Sequence, residues 1–143
     1  MKRIFLTACI MLTSILGLMA QNDENTLPAF PGGITGMYNY VSTNTHYPES
    51  AREWTAQARI IVTYVVDKEG NVTEPRVTNV TDLSLDSHKV SKLSKKEQKE
   101  VTKTIIEDMK TEALRVVAQM PKWTPGKQKG EPIRVRLNVP VTF

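Results

Sequence analysis

From Ile133 to Phe143 the chain alternates. Ile133, Val135, Leu137, Val139, Val141 and Phe143 are apolar, and Arg134, Arg136, Asn138, Pro140 and Thr142 fall between them. A period of two marks a strand with one buried face. Pro140 stands in the polar register, and a residue without an N–H is most easily placed at a sheet edge. An edge of this length offers unpaired backbone groups to an incoming strand. Equally, its two arginines can protect a plain edge. Two further strands are predicted. In Arg59–Val66, residues Ile60, Val62, Tyr64 and Val66 face the core, and Ile61 and Val65 make the other face apolar as well. In Val72–Val80, Pro75 indicates a bulge or an edge position. Asp67 to Asn71 forms the hairpin loop between them, with Gly70 available for a positive φ.

Elsewhere the period lengthens. Ile34, Met37, Tyr38 and Val41 recur at helical spacing across Gly33–Asn44, although Gly36 weakens that helix. Pro48 suits the first position of a short helix ending near Trp54. Ser94-Lys95-Lys96-Glu97 has the form of a capping box. Beyond it Val101, Ile105, Met109, Ala113, Val116, Val117 and Met120 step by threes and fours, which predicts one helix to about Gln119, stopped by Pro121. At 1.5 Å per residue it would be ~38 Å long. A small sheet cannot cover that length, so the helix either projects past the sheet or breaks in two. The fold class that follows is α+β: a three-stranded antiparallel sheet with helices packed on one face.

Composition changes the picture at the N-terminus. The chain has 143 residues. Lys2 and Arg3 precede an apolar run from Ile4 to Ala20, and polar Gln21 follows the small Ala20. This reads as a secretory signal peptide, residues 1–20. An uncleaved anchor is the alternative, because the run approaches the ~18 residues that span a bilayer. Leu6-Thr7-Ala8-Cys9 has the look of a lipobox, behind an apolar region too short for one. Residues 21–29 are polar and read as a disordered tether, leaving 30–143 as one domain. Cys9 is the single cysteine, so after cleavage disulfides, thiol nucleophiles and Cys-ligated zinc are excluded. The formal charge of +4 falls to +2 without Lys2 and Arg3, too mild to argue for nucleic acid.

Candidate chemistry is sparse. His46 and His88 stand apart from each other and from carboxylates at metal-ligand spacing. Ser84, Ser87, Ser91 and Ser94 lack a nucleophile-elbow context, and Asp82 and Asp86 read as turn and cap residues. No glycine-rich loop cradles a phosphate. The expectation is a protein that is not an enzyme, with no catalytic residue, metal or cofactor. Trp54 and Trp123 read as packing residues. Lys92, Lys95, Lys96, Lys99 and Lys103 lie mostly on one side of the long helix. They read either as an anion-facing surface, for lipid headgroups or an acidic partner, or as a solvated face with Glu100 and Glu107 nearby.

The closing run MPKWTPGKQKGEPIRVRLNVPVTF resembles the end of the TonB C-terminal domain, in its Bacteroidetes-type form. Upstream, Phe30-Pro31-Gly32-Gly33, Asn44, Tyr47-Pro48, Ala51, the Ile60–Val66 strand, Asp67, Gly70, Val72, Leu85-Asp86, Glu112-Ala113 and Arg115-Val116-Val117 stand in that family's order. Ala58 departs where the family often has glycine, and Trp54 stands in a loop usually small or polar. Residues 87–111 are an insertion relative to the family. The resemblance implies a two-layer sandwich, to which the insertion adds the extended helix. It also implies binding of an extended segment of a TonB-dependent outer-membrane transporter, or of another envelope peptide, by pairing with the last strand. Mapped here, that strand is Arg134 to Thr142, with Arg134, Arg136, Asn138, Pro140 and Thr142 in the outward register. Residues flanking the Tyr-Pro motif, Thr45, His46 and Tyr47, are implied to touch the partner. An energy-transducing member has a long spacer; residues 21–29 fully extended reach only ~30 Å. The resemblance therefore implies a stand-alone periplasmic module linked to transmembrane transport. The alternative is a self-associating envelope protein whose edge strand pairs with its own copy.

Overall fold

A computed structural model describes residues 24–143. The expected signal segment and residues 21–23 lie outside the described residues. The architecture is α+β, with a three-stranded antiparallel sheet at its centre. Strand β1 (Gln57–Val66) lies between β2 (Val72–Ser84) and β5 (Val135–Thr142). Its β-branched and aromatic residues suit a pleated, half-buried surface. Ala58, Ile60, Val62, Tyr64 and Val66 are all but fully buried against the helices, as their alternation predicts. Val139 and Val141 of β5 join the same layer.

The β1–β2 hairpin turns on Asp67, whose Oδ1 accepts the N–H groups of Glu69 at 3.0 Å and Asn71 at 2.8 Å. Those bonds, Asn71's first, hold its carboxyl below the usual range. Gly70 sits at φ +87°, and a Cβ there would meet the Trp123 carbonyl oxygen at 2.0 Å. Only glycine fits. β2 runs four residues past its predicted end at Val80. Left-handed Glu74 (φ 53°) and Asp82 (φ 55°) absorb extra residues as bulges, so pairing with β1 resumes beyond each. Asp82, expected in a turn, is therefore a bulge residue inside the strand.

Among the described residues there are four helices, and the first and the last of them pack on the sheet. Helix α1 is Gly33–Asn44 and α2 is Glu49–Glu53. Pro48 is the cap of α2 rather than its first helical residue; its ψ of 144° is extended. Helix α3, Ser87–Val90, is capped by Asp86, whose Oδ1 accepts from His88 and Lys89. Helix α4, Lys95–Ala118, opens on the predicted capping box, with Ser94 and Glu97 each bonding the other's backbone. The long helix is thus continuous from Lys95, with a separate single turn before it. It buries Ile105, Met109, Ala113, Val116 and Val117. The inserted stretch divides accordingly: Ile105 and Met109 belong to the core, and the residues before Val101 are mostly exposed. Trp54 packs with Val101 and Ile105, so the unusual tryptophan and the unusual helix length are two sides of one contact.

Two expectations need correcting. The last strand is not continuous from Ile133. Arg134 interrupts it, and Ile133 ends β4 (Glu131–Ile133), which pairs with β3 (Gly126–Gln128). Lys129 and Gly130 between them have φ of 51° and 76°, the two positive values that a type I′ turn requires. Part of the expected tether is also ordered. Thr26 exchanges backbone bonds with Lys127, and Ala29 with Thr124. Polar side chains did not prevent pairing because the ladder uses only backbone groups.

Candidate functional site

A three-stranded sheet has two free edges, and here they differ. β2 is blunted by bulges at Glu74 and Asp82 and by Pro75, devices that discourage edge pairing. β5 pairs with β1 in uninterrupted register from Arg59↔Thr142 to Val66↔Val135. Its outer edge is correspondingly regular.

The register fixes which backbone groups point outward. Ala58 and Phe143 exchange both hydrogen bonds, N–H of Phe143 to Ala58 O at 2.9 Å and N–H of Ala58 to Phe143 O at 3.3 Å. In an antiparallel ladder such pairs alternate with pairs that exchange none. The bonded residues of β5 are therefore Val135, Leu137, Val139 and Val141. Arg136, Asn138, Pro140 and Thr142 direct their backbone groups away from β1. Pro140 thus forfeits no ladder bond, as its polar register predicts. The outer row offers N–H groups at Arg136, Asn138 and Thr142, with a gap at Pro140.

Beside the C-terminal half of this edge lies a groove of about 370 Å³, lined by Tyr38, Val41, Ser42, Thr45, Tyr47, Pro140, Thr142 and Phe143. Its far wall is α1. Ile34 and Tyr38 were expected on one core-facing stripe with Met37 and Val41. They remain 74% and 50% exposed; Tyr38 lines the groove, and Ile34, one turn earlier on the same helix face, lines a separate hollow beside Phe30 and Trp123. Thr45 ends α1: its Oγ1 donates to Val41 O at 2.6 Å. Tyr47 lines the groove, while its hydroxyl donates to the carbonyl of Ala56, with that of Ala51 3.3 Å away.

The loop that carries these two residues is clamped from α4. Glu112 accepts the His46 N–H at 2.8 Å and the Arg115 Nε and Nη2 at 2.9 and 2.6 Å. Arg115 Nη2 also donates to Asn44 O at 2.7 Å. The Arg115 hydrogen bond, with the His46 N–H, holds the Glu112 carboxyl below its ordinary range against the opposing effect of burial. Glu112 and Arg115 thus set the groove's rim.

Of the residues expected to bind a partner, Thr45, Tyr47, Pro140 and Thr142 meet in the groove. Arg136 and Asn138 follow along the same edge, exposed. His46 and Arg134 do not join them. The His46 ring lies against Arg115, Nδ1 3.3 Å from Nη2, and Arg134 precedes β5 and reaches Glu74 at 3.3 Å. Tyr38, Ser42 and Phe143 were missed; Tyr38's place on a helical stripe suggested a core role. Among the described residues no group of three metal-ligating side chains comes together, and no helix is long and apolar enough to cross a membrane. Comparison with protein-family models, with curated proteins and with solved structures finds no match.

Proposed function

We propose that this chain is a non-enzymatic module of the TonB C-terminal domain type. It captures an extended segment of an envelope protein, a TonB-dependent outer-membrane transporter in the first instance, by strand addition along β5 in the periplasm. One observation carries the reading: the unbroken β5 edge, with the outward groups of Arg136, Asn138 and Thr142 beside an apolar groove. Backbone pairing supplies affinity without regard to sequence, and pockets for alternate side chains supply selectivity. An added strand turns every second side chain toward α1 and the groove, which favours apolar residues there. Its other side chains lie beside Arg136 and Asn138.

The test is photo-cross-linking. A benzophenone amino acid at Asn138, in cells that make the protein, should trap extended segments of envelope proteins. The same probe at Arg76 on the bulged edge should not. Cross-links from Asn138 to a second copy alone would replace capture of a partner by self-association. Equal yields from both edges would remove β5's special role.

A further inference from the structure

Helix α4 carries its lysines and its carboxylates on two separate sides, with Arg115 alone among the cations on the acidic one. At 3.6 residues per turn, Lys95, Lys96, Lys99, Lys103 and Lys110 fall within an arc of about 100°. Glu97, Glu100, Glu107, Asp108 and Glu112 fill a different arc of about 140°, and the two do not interleave. The acidic side is engaged by the fold. Asp108 accepts from Ser50 Oγ at 2.5 Å and Glu112 from the His46 N–H at 2.8 Å. The lysine side is not. Among the described residues only Lys110 has a carboxylate within reach, Glu107 at 3.7 Å, and Lys95, Lys96, Lys99 and Lys103 are exposed. Half-buried Ile106 shares a shallow trough with Lys95, Lys99, Lys103 and Lys110.

We propose that this side of α4 docks on the surface of a bilayer rich in anionic phospholipid. From Lys95 to Lys110 the row spans ~22 Å at 1.5 Å per residue, straight enough to lie on a plane. Its cations are all lysines, compact point charges without the fixed fork by which arginine selects one carboxylate geometry. Nor does the row hold an aromatic anchor or deep pocket of the kind that carries a specific protein contact. Lipid phosphates shift laterally to meet such a row; a folded acidic protein cannot. Ile106 lies within the same arc, placed to reach headgroup depth. Because the acidic side of α4 faces α2 and the loop that rims the peptide groove, docking by the lysine side leaves the β5 edge free. The proposal is independent of the strand-addition reading.

The experiment is co-sedimentation of the full chain with phosphatidylcholine vesicles, with and without phosphatidylglycerol. Binding common to both, including any from the apolar N-terminal segment, cancels in the difference. Lys95→Gln/Lys99→Gln/Lys103→Gln should weaken the phosphatidylglycerol-dependent part on the order of a hundredfold. Lys122→Gln/Lys127→Gln/Lys129→Gln, exposed lysines elsewhere and the same loss of charge, should leave it within about threefold. High salt should abolish it in the unaltered chain. Circular dichroism reports that both variants are folded. Equal losses in the two variants would mean that net charge rather than this face binds, and overturn the proposal. So would no preference for phosphatidylglycerol, or binding to soluble polyglutamate as tight as to the vesicles, which would point to an acidic protein.

Discussion

Proline at adjacent positions of β5 should have opposite consequences. Asn138 directs its N–H to the free edge, whereas Val139 donates to Val62 O within the ladder. Asn138→Pro therefore removes no bond of the folded chain, and Leu137 before it is already extended, as a residue preceding proline must be. The remaining cost is adjustment of φ, on the order of 1 kcal/mol. Val139→Pro removes a ladder donor, leaves the fully buried Val62 with an unpaired carbonyl and drives the ring toward β1; about 3 kcal/mol or more is expected. At about 2 cal/mol/K of unfolding entropy per residue, 1 kcal/mol corresponds to ~4 °C for a domain of this size. Thermal unfolding followed by circular dichroism should thus show a fall of ~4 °C for Asn138→Pro and ~12 °C or more for Val139→Pro. Binding of the segment trapped at this edge should fall about fivefold or more in Asn138→Pro, since an incoming strand loses a donor. Arg136→Ala should be milder, because backbone pairing persists. Equal destabilisation by the two prolines would refute the assigned parity. Unchanged binding in Asn138→Pro would refute strand addition at this edge.

Other perturbations follow from the same contacts. Arg115→Ala should destabilise the fold and loosen residues 44–47, because Glu112 loses its charged partner; the accompanying loss of partner binding is read by titration. Glu112 has a folded pKa below its unfolded value, so its contribution is present above the unfolded pKa and is lost as pH falls through the folded one. Amide shifts of Asn44 to Tyr47 should therefore move on acidification below about pH 4.5, and Glu112→Gln should abolish that dependence. Gly70→Ala should cost roughly 3 kcal/mol in denaturant unfolding, from left-handed strain and the clash with the Trp123 carbonyl. Deleting Lys89 to Lys99 removes no buried residue. The shortened chain should fold, with hydrogen-exchange protection retained from Ile105 to Val117.

The parts legible in the sequence are those with a strong period or a local chemical signature. The alternation of Ile60 to Val66 and of Val135 to Phe143 specified both register and facing, since a slip by one residue would turn every side chain over. The Ser94–Glu97 box located the start of α4 to the residue. What was not legible depends on backbone geometry or on distant neighbours. Lys129-Gly130 forms a type I′ turn, but lysine is a weak signal where asparagine or aspartate is usual, so β3 and β4 were read as one loop and the start of the last strand. Residues 24–29 pair through their backbone, which polar composition does not reveal. The groove arises because α1 and β5, far apart in sequence, lie side by side, and no local pattern encodes that. Ile34 and Tyr38 fit a helical stripe that the domain covers only in part. The part played by Glu112 and Arg115 depends on the loop at His46 folding onto them, which no local pattern encodes.

Residue-by-residue amide hydrogen exchange along β5 tests the central claim most directly. In the dilute free chain, Leu137, Val139 and Val141 should be protected, and Arg136, Asn138 and Thr142 should exchange near solvent rates. With the trapped segment added as a synthetic peptide, those three should become protected while the others change little. If they are already protected in the dilute free chain, or stay unprotected when the peptide is bound, an open β5 edge that takes up a strand is contradicted.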